Sequence, residues 1–299
     1  MTFERIQMLL GSWRTRFFGR AVPVGSQPSL TASVDVQNVQ AATANVAKQS
    51  DTVIMTESRR LGLIVAELLH DIGRGARIGM TTQSIADALV LQCTSLGLLP
   101  AMLGFDKFPA AAAISLNQEV LHGLPSSRTL VDSDLLKIEF GVVSGLAFAS
   151  HSWTFPIGSP RVEDKLLLEA GSRALRAALD VVSPQHRLGD IGAAIQQTVE
   201  AEGLSVVRSF VGYGMGKSRI QEPQVGGYGS AGKGARIKPG WILNLHVIAK
   251  HGSPSVIIAE NDWTAISEDE KNAALFSCMV EVTSKGCHVL TPIPEAGPA

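Results

Sequence analysis

The sequence has few cysteines and no long apolar run, and each of these absences excludes a class of protein. Its cysteines are Cys93, Cys278 and Cys287, and none of them forms a Cys-x-x-Cys motif. This argues against a disulfide framework and a thiolate zinc site, and it is typical of a reducing compartment. No apolar run approaches the ~18 residues that cross a bilayer, and the start lacks the basic and apolar regions of a secretory signal. We therefore expect a cytoplasmic protein without a transmembrane segment.

The chain also lacks an excess of charge of either sign. Its formal net charge is -1 at pH 7, which gives no reason to expect nucleic acid as a partner. Hydrophobic residues make up 45% of the chain and charged residues 18%, as in a soluble globular protein with a well-supplied core.

The first fifty residues differ in character from the rest. Apolar residues recur there at three- and four-residue steps, at Phe3, Ile6, Leu10, Trp13 and Phe17. This spacing predicts an amphipathic helix over residues 3–18. Residues 24–50 are rich in Ser, Gln, Ala, Thr and Val with almost no charge, which is typical of a linker. We interpret residues 1–50 as a helix and linker arm that docks on its own domain, on a second copy in a homodimer, or on a partner protein.

From residue 52 to residue 299 the pattern predicts a folded domain of helices and strands. Helical spacing is found over residues 58–73, 82–93, 161–182 and 188–203. Short apolar runs over residues 110–116 and 135–143 predict strands, and residues 206–290 alternate strands with glycine-rich turns. One of these turns, GYGMGK at residues 212–217, lacks the spacing and the trailing Ser or Thr of a phosphate loop. Nucleotide binding is therefore not predicted.

Several segments of this domain resemble a known family. They are ISLNQEVLHGLP from Ile114, RLGDIGAAIQQTVEAEGLSVVRSFVGYGMG from Arg187, QEPQV from Gln221, IKPGW from Ile237 and DWT from Asp262. Their order and spacing are similar to those of methionine aminopeptidases, prolidases and creatinases, from about residue 52 to residue 291. The resemblance implies an α+β protein with the pita-bread fold, in which two pseudosymmetric αβ halves surround a curved antiparallel sheet and a central cleft.

The resemblance also implies a metal site. Working members of the family bind two divalent cations through five side chains, and the cations activate a water molecule. The matching positions here are Glu139, Ser150, Tyr213, His246 and Ser277, and a further family histidine is replaced by Ile220. Only the first of these five is a carboxylate. Carboxylates crowded together without cations would repel one another, so these losses are mutually consistent. We therefore expect no metal and no other cofactor, with a single-metal site formed by Glu139, His246 and His151 as an alternative.

The side chains that remain in the implied cleft are the candidate catalytic residues. They are His122, which matches a family histidine that contacts substrate, together with His246, Glu139 and Tyr213. His122 and His246 are candidates for general acid and base near neutral pH, and Glu139 for orienting one of them. Either histidine can instead be a structural residue with a satisfied hydrogen bond, and Tyr213 can simply fill the space left by the metals.

The resemblance implies an apolar pocket for the side chain of the substrate. Our candidate substrate-binding residues are Trp263, Phe105, Asp106, Leu275, His151 and Glu222. Trp263 and Phe105 match family aromatics, whereas Leu275 replaces a glutamine and Asp106 a histidine. Glu222 has a structural alternative, and His151 is expected on the opposite face of its strand. A small-molecule or peptide-like ligand is therefore expected in the cleft.

Three hypotheses for the function follow from these residues. The first is a metal-independent enzyme that uses histidine acid–base chemistry on a small amide, amino-acid-derived or guanidino-like substrate, as in specialised metabolism. Creatinase supports it, because that family member cleaves a C–N bond without metal. The second is an inactive pseudo-aminopeptidase that binds a peptide or a protein. The third is a residual metallohydrolase.

Overall fold

A computed structural model of the protein describes residues 34–294. The amphipathic helix predicted for residues 3–18 lies outside this range. Within residues 34–294 the α-helices are α1 (Val36–Val46), α2 (Asp51–Gly75), α3 (Thr82–Ser95), α4 (Val162–Val181) and α5 (Leu188–Glu200), and Phe105–Lys107 form a 3-10 helix. None of these helices combines the length and the apolarity that crossing a bilayer requires.

Helix α1 corrects the linker predicted for residues 24–50. Its first turn is capped by Asp35, whose side chain accepts a hydrogen bond from the backbone N–H of Gln37 at 2.9 Å. Val39 and Val46 are buried, so packing of two apolar side chains stabilises a segment whose uncharged polar composition suggested a linker. Residues 36–46 are therefore helical rather than part of a linker.

The described strands are short except for four. They are β1 (Leu99–Pro100), β2 (Ala113–Leu116), β3 (Glu119–Leu121), β4 (Leu135–Val143), β5 (Phe148–Pro156), β6 (Ser205–Val206), β7 (Gly212–Met215), β8 (Gln221–Val225), β9 (Ile242–Lys250), β10 (Val256–Ile258), β11 (Ala265–Ser267), β12 (Ala273–Val282) and β13 (Cys287–Val289). All their pairings are antiparallel. Together with the helices they confirm the predicted α+β class.

The four long strands form the centres of two sheets. One sheet has the order β1-β4-β2 with β5 also paired to β4, and the other has the order β13-β12-β9-β7-β8 with β6 paired to β9. Strands β3, β10 and β11 form a third, smaller sheet. The two large sheets meet where the hydroxyl of Thr154 on β5 donates to the carbonyl of Leu275 on β12 and accepts from its backbone N–H, each at 2.8 Å. At this junction the buried hydroxyl of Thr154 thus makes the two hydrogen bonds to β12 that the backbone of a paired strand would otherwise make.

The side of β5 that faces α2 carries a buried polar pair. His151 on β5 lies with its Nε2 3.0 Å from the Nε2 of His70 on α2. Trp153 stacks on the ring of His151 and packs edge-on against Phe276 of β12, with centroids 4.7 Å apart. Neighbouring strand residues point to opposite faces, so His151 points away from Ser150 and into this cluster. The prediction of His151 as a substrate-binding residue is therefore wrong, and so is its inclusion in a single-metal site.

Acidification is expected to destabilise the protein through this histidine pair. Burial, followed by the positive charge of Arg74, lowers the pKa of His70 to about 4, and burial next to His70 lowers that of His151 as well. The unfolded chain has an ordinary histidine pKa of about 6.5, so between pH 6.5 and 4 it binds more protons than the folded chain. The contribution of His70 to the free energy of unfolding is therefore fully present at neutral pH. It decreases as the pH falls, by on the order of 3 kcal/mol at pH 4.

This dependence can be measured by urea unfolding at pH 7 and pH 4.5. The variant His70→Gln should show a flatter decline than the wild type, because glutamine does not titrate and can still hydrogen-bond His151. His288→Gln is the matched control, since the His288 side chain is 68% exposed. Equal slopes for the wild type and His70→Gln would show that the pair does not carry the acid sensitivity.

Candidate active site

The site is organised around a bend at His122, directly after β3. His122 has a left-handed backbone with φ of 58°, which is unfavourable for a residue other than glycine. The carboxylate of Glu139 on β4 accepts the backbone N–H of His122 at 2.6 Å, and the carbonyl of His122 accepts from the hydroxyl of Thr264 at 3.3 Å. At Gly123 an added Cβ would lie 2.4 Å from the carbonyl oxygen of Ile114. The bend is therefore held from three sides, and this fixes the direction of the imidazole.

The imidazole of His122 belongs to a row of four rings, the aromatic wall, formed by Phe108, His122, Phe210 and Trp263. Phe108 packs edge-on against Trp263 with centroids 5.3 Å apart and lies 6.1 Å from the ring of His122. The ring of Phe210 meets His122 edge-on at 5.7 Å. Trp263 is held by Asn261, whose side-chain oxygen accepts its backbone N–H at 3.0 Å. Such a wall offers apolar surface to a ligand beside one polar ring.

Strands β7, β9 and β12 form the floor of the site. His246 on β9 lies opposite Ser277 on β12, and Asn244 on β9 lies opposite Tyr213 on β7. Opposed residues in an antiparallel pair share a face, so these four side chains lie on the same side. The side-chain amide of Asn244 donates to the hydroxyl of Tyr213 at 3.2 Å. The rings of Tyr213 and His246 are 5.2 Å apart, so the structure brings together these two predicted catalytic residues.

His246 is electrically neutral under ordinary conditions. Burial is the main cause that lowers its pKa to about 3, and electrostatic interactions with His122 and Arg219 contribute to the same shift. Its Nε2 is buried and has no hydrogen-bond partner within residues 34–294. A group with this pKa carries almost no proton to donate at neutral pH and is a very weak base. The lowered pKa argues against His246 as one half of a general acid–base pair.

The side chains at the five implied ligand positions do not fit a two-metal centre. Glu139 already accepts a hydrogen bond from His122, Ser150 and Ser277 are buried hydroxyl residues, and the hydroxyl of Tyr213 accepts from Asn244. Divalent cations of the hard type require several carboxylate, imidazole or carbonyl ligands around each ion. Within residues 34–294 no three His, Cys, Asp or Glu side chains are grouped so that they could hold a metal ion.

The predicted substrate-binding residues occupy different surroundings. Phe105 is half-buried and lies under the guanidinium of Arg219, whereas Asp106 is exposed with φ of 47°. Glu222 is exposed on β8, where its carboxylate accepts the backbone N–H of Gln224 at 3.1 Å. Leu275 is fully buried in a core cluster against which Phe210 of the wall packs, so its role as a pocket residue stays a prediction.

Sequence reasoning did not identify Phe210 and Arg219 as site residues. Phe210 lies two residues before the glycine-rich segment and Arg219 two residues after it, so both lie within six residues of Tyr213. An aromatic and a basic residue flanking a glycine-rich turn were the available signals. The sequence around these two residues does not alternate between apolar and polar residues, so it does not show which way either side chain points.

The fold and the cleft are those of a peptidase family. Residues 56–284 match metallopeptidase family M24, which is more than half of the chain. The chain belongs to this family.

Among its relatives, methionine aminopeptidase 1 of Bacillus subtilis is 33% identical over 235 residues, covering 79% of this chain and 95% of the relative. The methionine aminopeptidase of Escherichia coli K12 is 32% identical over 238 residues, covering 78% of this chain and 89% of the relative. The crystal structure of methionine aminopeptidase from Rickettsia prowazekii superposes with a TM-score of 0.79 at 28% identity, over 82% of this chain and 98% of that one. A prolidase from Pyrococcus horikoshii shares the fold with a TM-score of 0.64 at 14% identity, over 87% of this chain and 67% of that one. The predicted pita-bread fold is confirmed.

These comparisons contradict the functional prediction made from the sequence. A metal-independent acid–base enzyme was expected, with an inactive binding protein as the alternative. The chain instead belongs to a family of metallopeptidases, and its relatives are named methionine aminopeptidases. The prediction was drawn from the replaced ligand positions, the retained histidines and the likeness to creatinase, and nothing among the relatives supports a metal-independent enzyme or an inactive binding protein. The family is one of enzymes, as expected, but its chemistry is that of peptidases.

Proposed function

We propose that this protein acts as an aminopeptidase, with the amino-terminal residue of a peptide bound in the cleft. The observation that carries the proposal is the aromatic wall beside the fixed His122 bend, because together they offer an apolar pocket and one polar ring at its edge. Membership of metallopeptidase family M24 and relatives named methionine aminopeptidases support the reaction class. The bond cleaved is the first peptide bond of the substrate.

The wall and the bend have separate tasks in this proposal. Phe108, Phe210 and Trp263 receive the first side chain of the peptide, and burying an apolar side chain of that size contributes about 1.5–3 kcal/mol. The imidazole of His122, whose side chain is 36% exposed, is free to hydrogen-bond the peptide backbone. Glu139 Oε2, 3.9 Å from His122 Nε2, provides negative charge for the peptide ammonium group. Each contact orients the first peptide bond.

The variant Trp263→Ala tests the assignment of the pocket. It should lower kcat/KM for a peptide that begins with methionine by about 10- to 200-fold, because a large apolar contact is lost. A peptide that begins with alanine should lose much less, since its side chain does not reach the indole. The assay is release of the first residue from Met-Ala-Ser and Ala-Ala-Ser, followed by mass spectrometry.

Trp241→Ala is the matched control, because Trp241 lies before β9 and packs against Lys238 rather than against the wall. It should leave both rates unchanged. An equal loss for both peptides in Trp263→Ala would show that Trp263 supports the fold and does not select the first residue.

A further inference from the structure

Arg219 is a buried arginine on the loop between β7 and β8. It is 8% exposed, and its guanidinium lies over the ring of Phe105, 4.7 Å from the centroid. Its Nε is buried without a hydrogen-bond partner, and within residues 34–294 no carboxylate forms an ion pair with it. Arg208 shows the ordinary arrangement: it also lies over a ring, that of Tyr228, but its side chain is 55% exposed and Glu200 is 3.9 Å away.

A buried guanidinium without an anion is energetically unfavourable. Arginine stays protonated in proteins, and a buried charge is normally paired and hydrogen-bonded because leaving water costs several kcal/mol. The ring of Phe105 offsets only part of this cost, since a cation–π contact contributes about 0.5–2 kcal/mol. The planar donor set of Arg219 therefore has unused capacity for an anionic group.

The position of Arg219 places this capacity in the cleft. Phe105 lies three residues before Phe108 of the aromatic wall. The charge of Arg219 is also close enough to His246, on the floor, to help lower its pKa. Asn244 Oδ1, His246 Nε2 and Ser277 Oγ on the floor are buried without partners within residues 34–294. These three floor atoms and the Nε of Arg219 are thus buried polar atoms that lack a hydrogen-bond partner within the described residues.

We propose that Arg219 binds a carboxylate of the peptide in the cleft and so makes the protein selective for carboxylate-bearing ligands. This inference rests on the proposed function, because it names the ligand group that the same cleft recognises. A guanidinium holds a carboxylate through two parallel hydrogen bonds, a geometry that a lysine does not reproduce. The carboxylate is either the carboxyl terminus of a very short peptide or an acidic first side chain.

Isothermal titration calorimetry with four dipeptides tests the proposal. Met-Ala is compared with its carboxyl-terminal amide, and Glu-Ala amide is compared with Gln-Ala amide, each against the wild type, Arg219→Met and Arg208→Met. Methionine retains an apolar stem over Phe105 while removing the charge. Circular dichroism checks that each variant is folded.

In the wild type, the carboxylate form of one pair should bind about 10- to 100-fold more tightly than its uncharged partner, the usual value of a charge-assisted pair of hydrogen bonds. This ratio should fall to about 1 in Arg219→Met and stay unchanged in Arg208→Met. The pair that shows the preference identifies the source of the carboxylate.

Two results would overturn the inference and leave the proposed function intact. One is equal affinity of the wild type for the two members of each pair, that is, for Met-Ala and its amide and for Glu-Ala amide and Gln-Ala amide. The other is a carboxylate preference that survives in Arg219→Met. Absence of binding by all four dipeptides would contradict the inference and the proposed function together.

Discussion

Replacing Trp153 by alanine is expected to lower the free energy of unfolding by about 3–5 kcal/mol, the range for a large aromatic removed from a core. Trp153 is 1% exposed and packs against Phe276, His151 and His70. It joins β5 of one large sheet to β12 of the other, so the cavity would open at the junction of the two halves. The measurement is urea unfolding of wild type and variant at pH 7.

Trp241→Ala controls for the loss of a tryptophan as such and should cost less than about 1 kcal/mol, since Trp241 lies outside this junction. The folded fraction of Trp153→Ala should keep the peptide affinity of the wild type, because His151 and Trp153 face away from the floor. A small loss of stability, or a loss of peptide binding at full folding, would contradict the assignment of this cluster to the core.

Replacing His122 by alanine is expected to lower kcat/KM for a peptide substrate by about 10²- to 10³-fold. His122 is the titratable ring on the aromatic wall that reaches solvent, and misplacing a positioned group by about 1 Å already costs up to 10²-fold. Stability should fall by only about 1 kcal/mol, because the ring is partly exposed and no large cavity opens. The measurement is the initial rate of release of the first residue.

Two further variants separate chemistry from packing at this position. His122→Gln keeps a hydrogen-bonding side chain of similar length and should recover part of the rate. His288→Ala removes an exposed histidine and should change nothing. A wild-type rate in folded His122→Ala would contradict a role of the His122 imidazole in orienting the peptide.

The regular elements could be predicted because each carries its own local signal. Thr81, for example, precedes α3 and accepts the backbone N–H of Ser84 at 3.1 Å, as a capping residue before an apolar-periodic segment should. Helix α1 was missed because its segment has no charged residues and its apolar residues are all the small side chains of Val and Ala. Its formation depends on burial of Val39 and Val46, which is a tertiary effect that local propensity does not contain.

The site could be predicted only in part, for a different physical reason. His122, Tyr213 and His246 could be singled out because they occupy recognisable motif positions, and the structure places their side chains near one another. His151 was misassigned because polar residues occur on both faces of β5, so alternation does not distinguish the cleft face from the core face. The neutrality of His246 is a consequence of burial, which a sequence does not state. Arg219 becomes conspicuous only when the structure shows that no anion accompanies it.

Family membership and the side chains at the implied metal positions remain in disagreement. The chain belongs to a metallopeptidase family, yet Ser150, Tyr213 and Ser277 stand where the resemblance implies ligands. Glu139 is the carboxylate that remains at those positions, and the charge of Arg219 acts on His246. The cleft therefore differs from that of a two-metal enzyme in charge as well as in ligands.

The central claim, that the cleft acts on the amino-terminal residue of a peptide, is tested most directly by the products formed from one peptide. Met-Ala-Ser-Lys and its amino-terminally acetylated form are incubated with the full-length protein, with and without added manganese, cobalt or zinc, and the masses are followed with time. The account predicts stepwise loss from the free amino terminus, with methionine released first, and no change in the acetylated peptide. No loss from either peptide under any of these conditions, or cleavage at an internal bond, would contradict it.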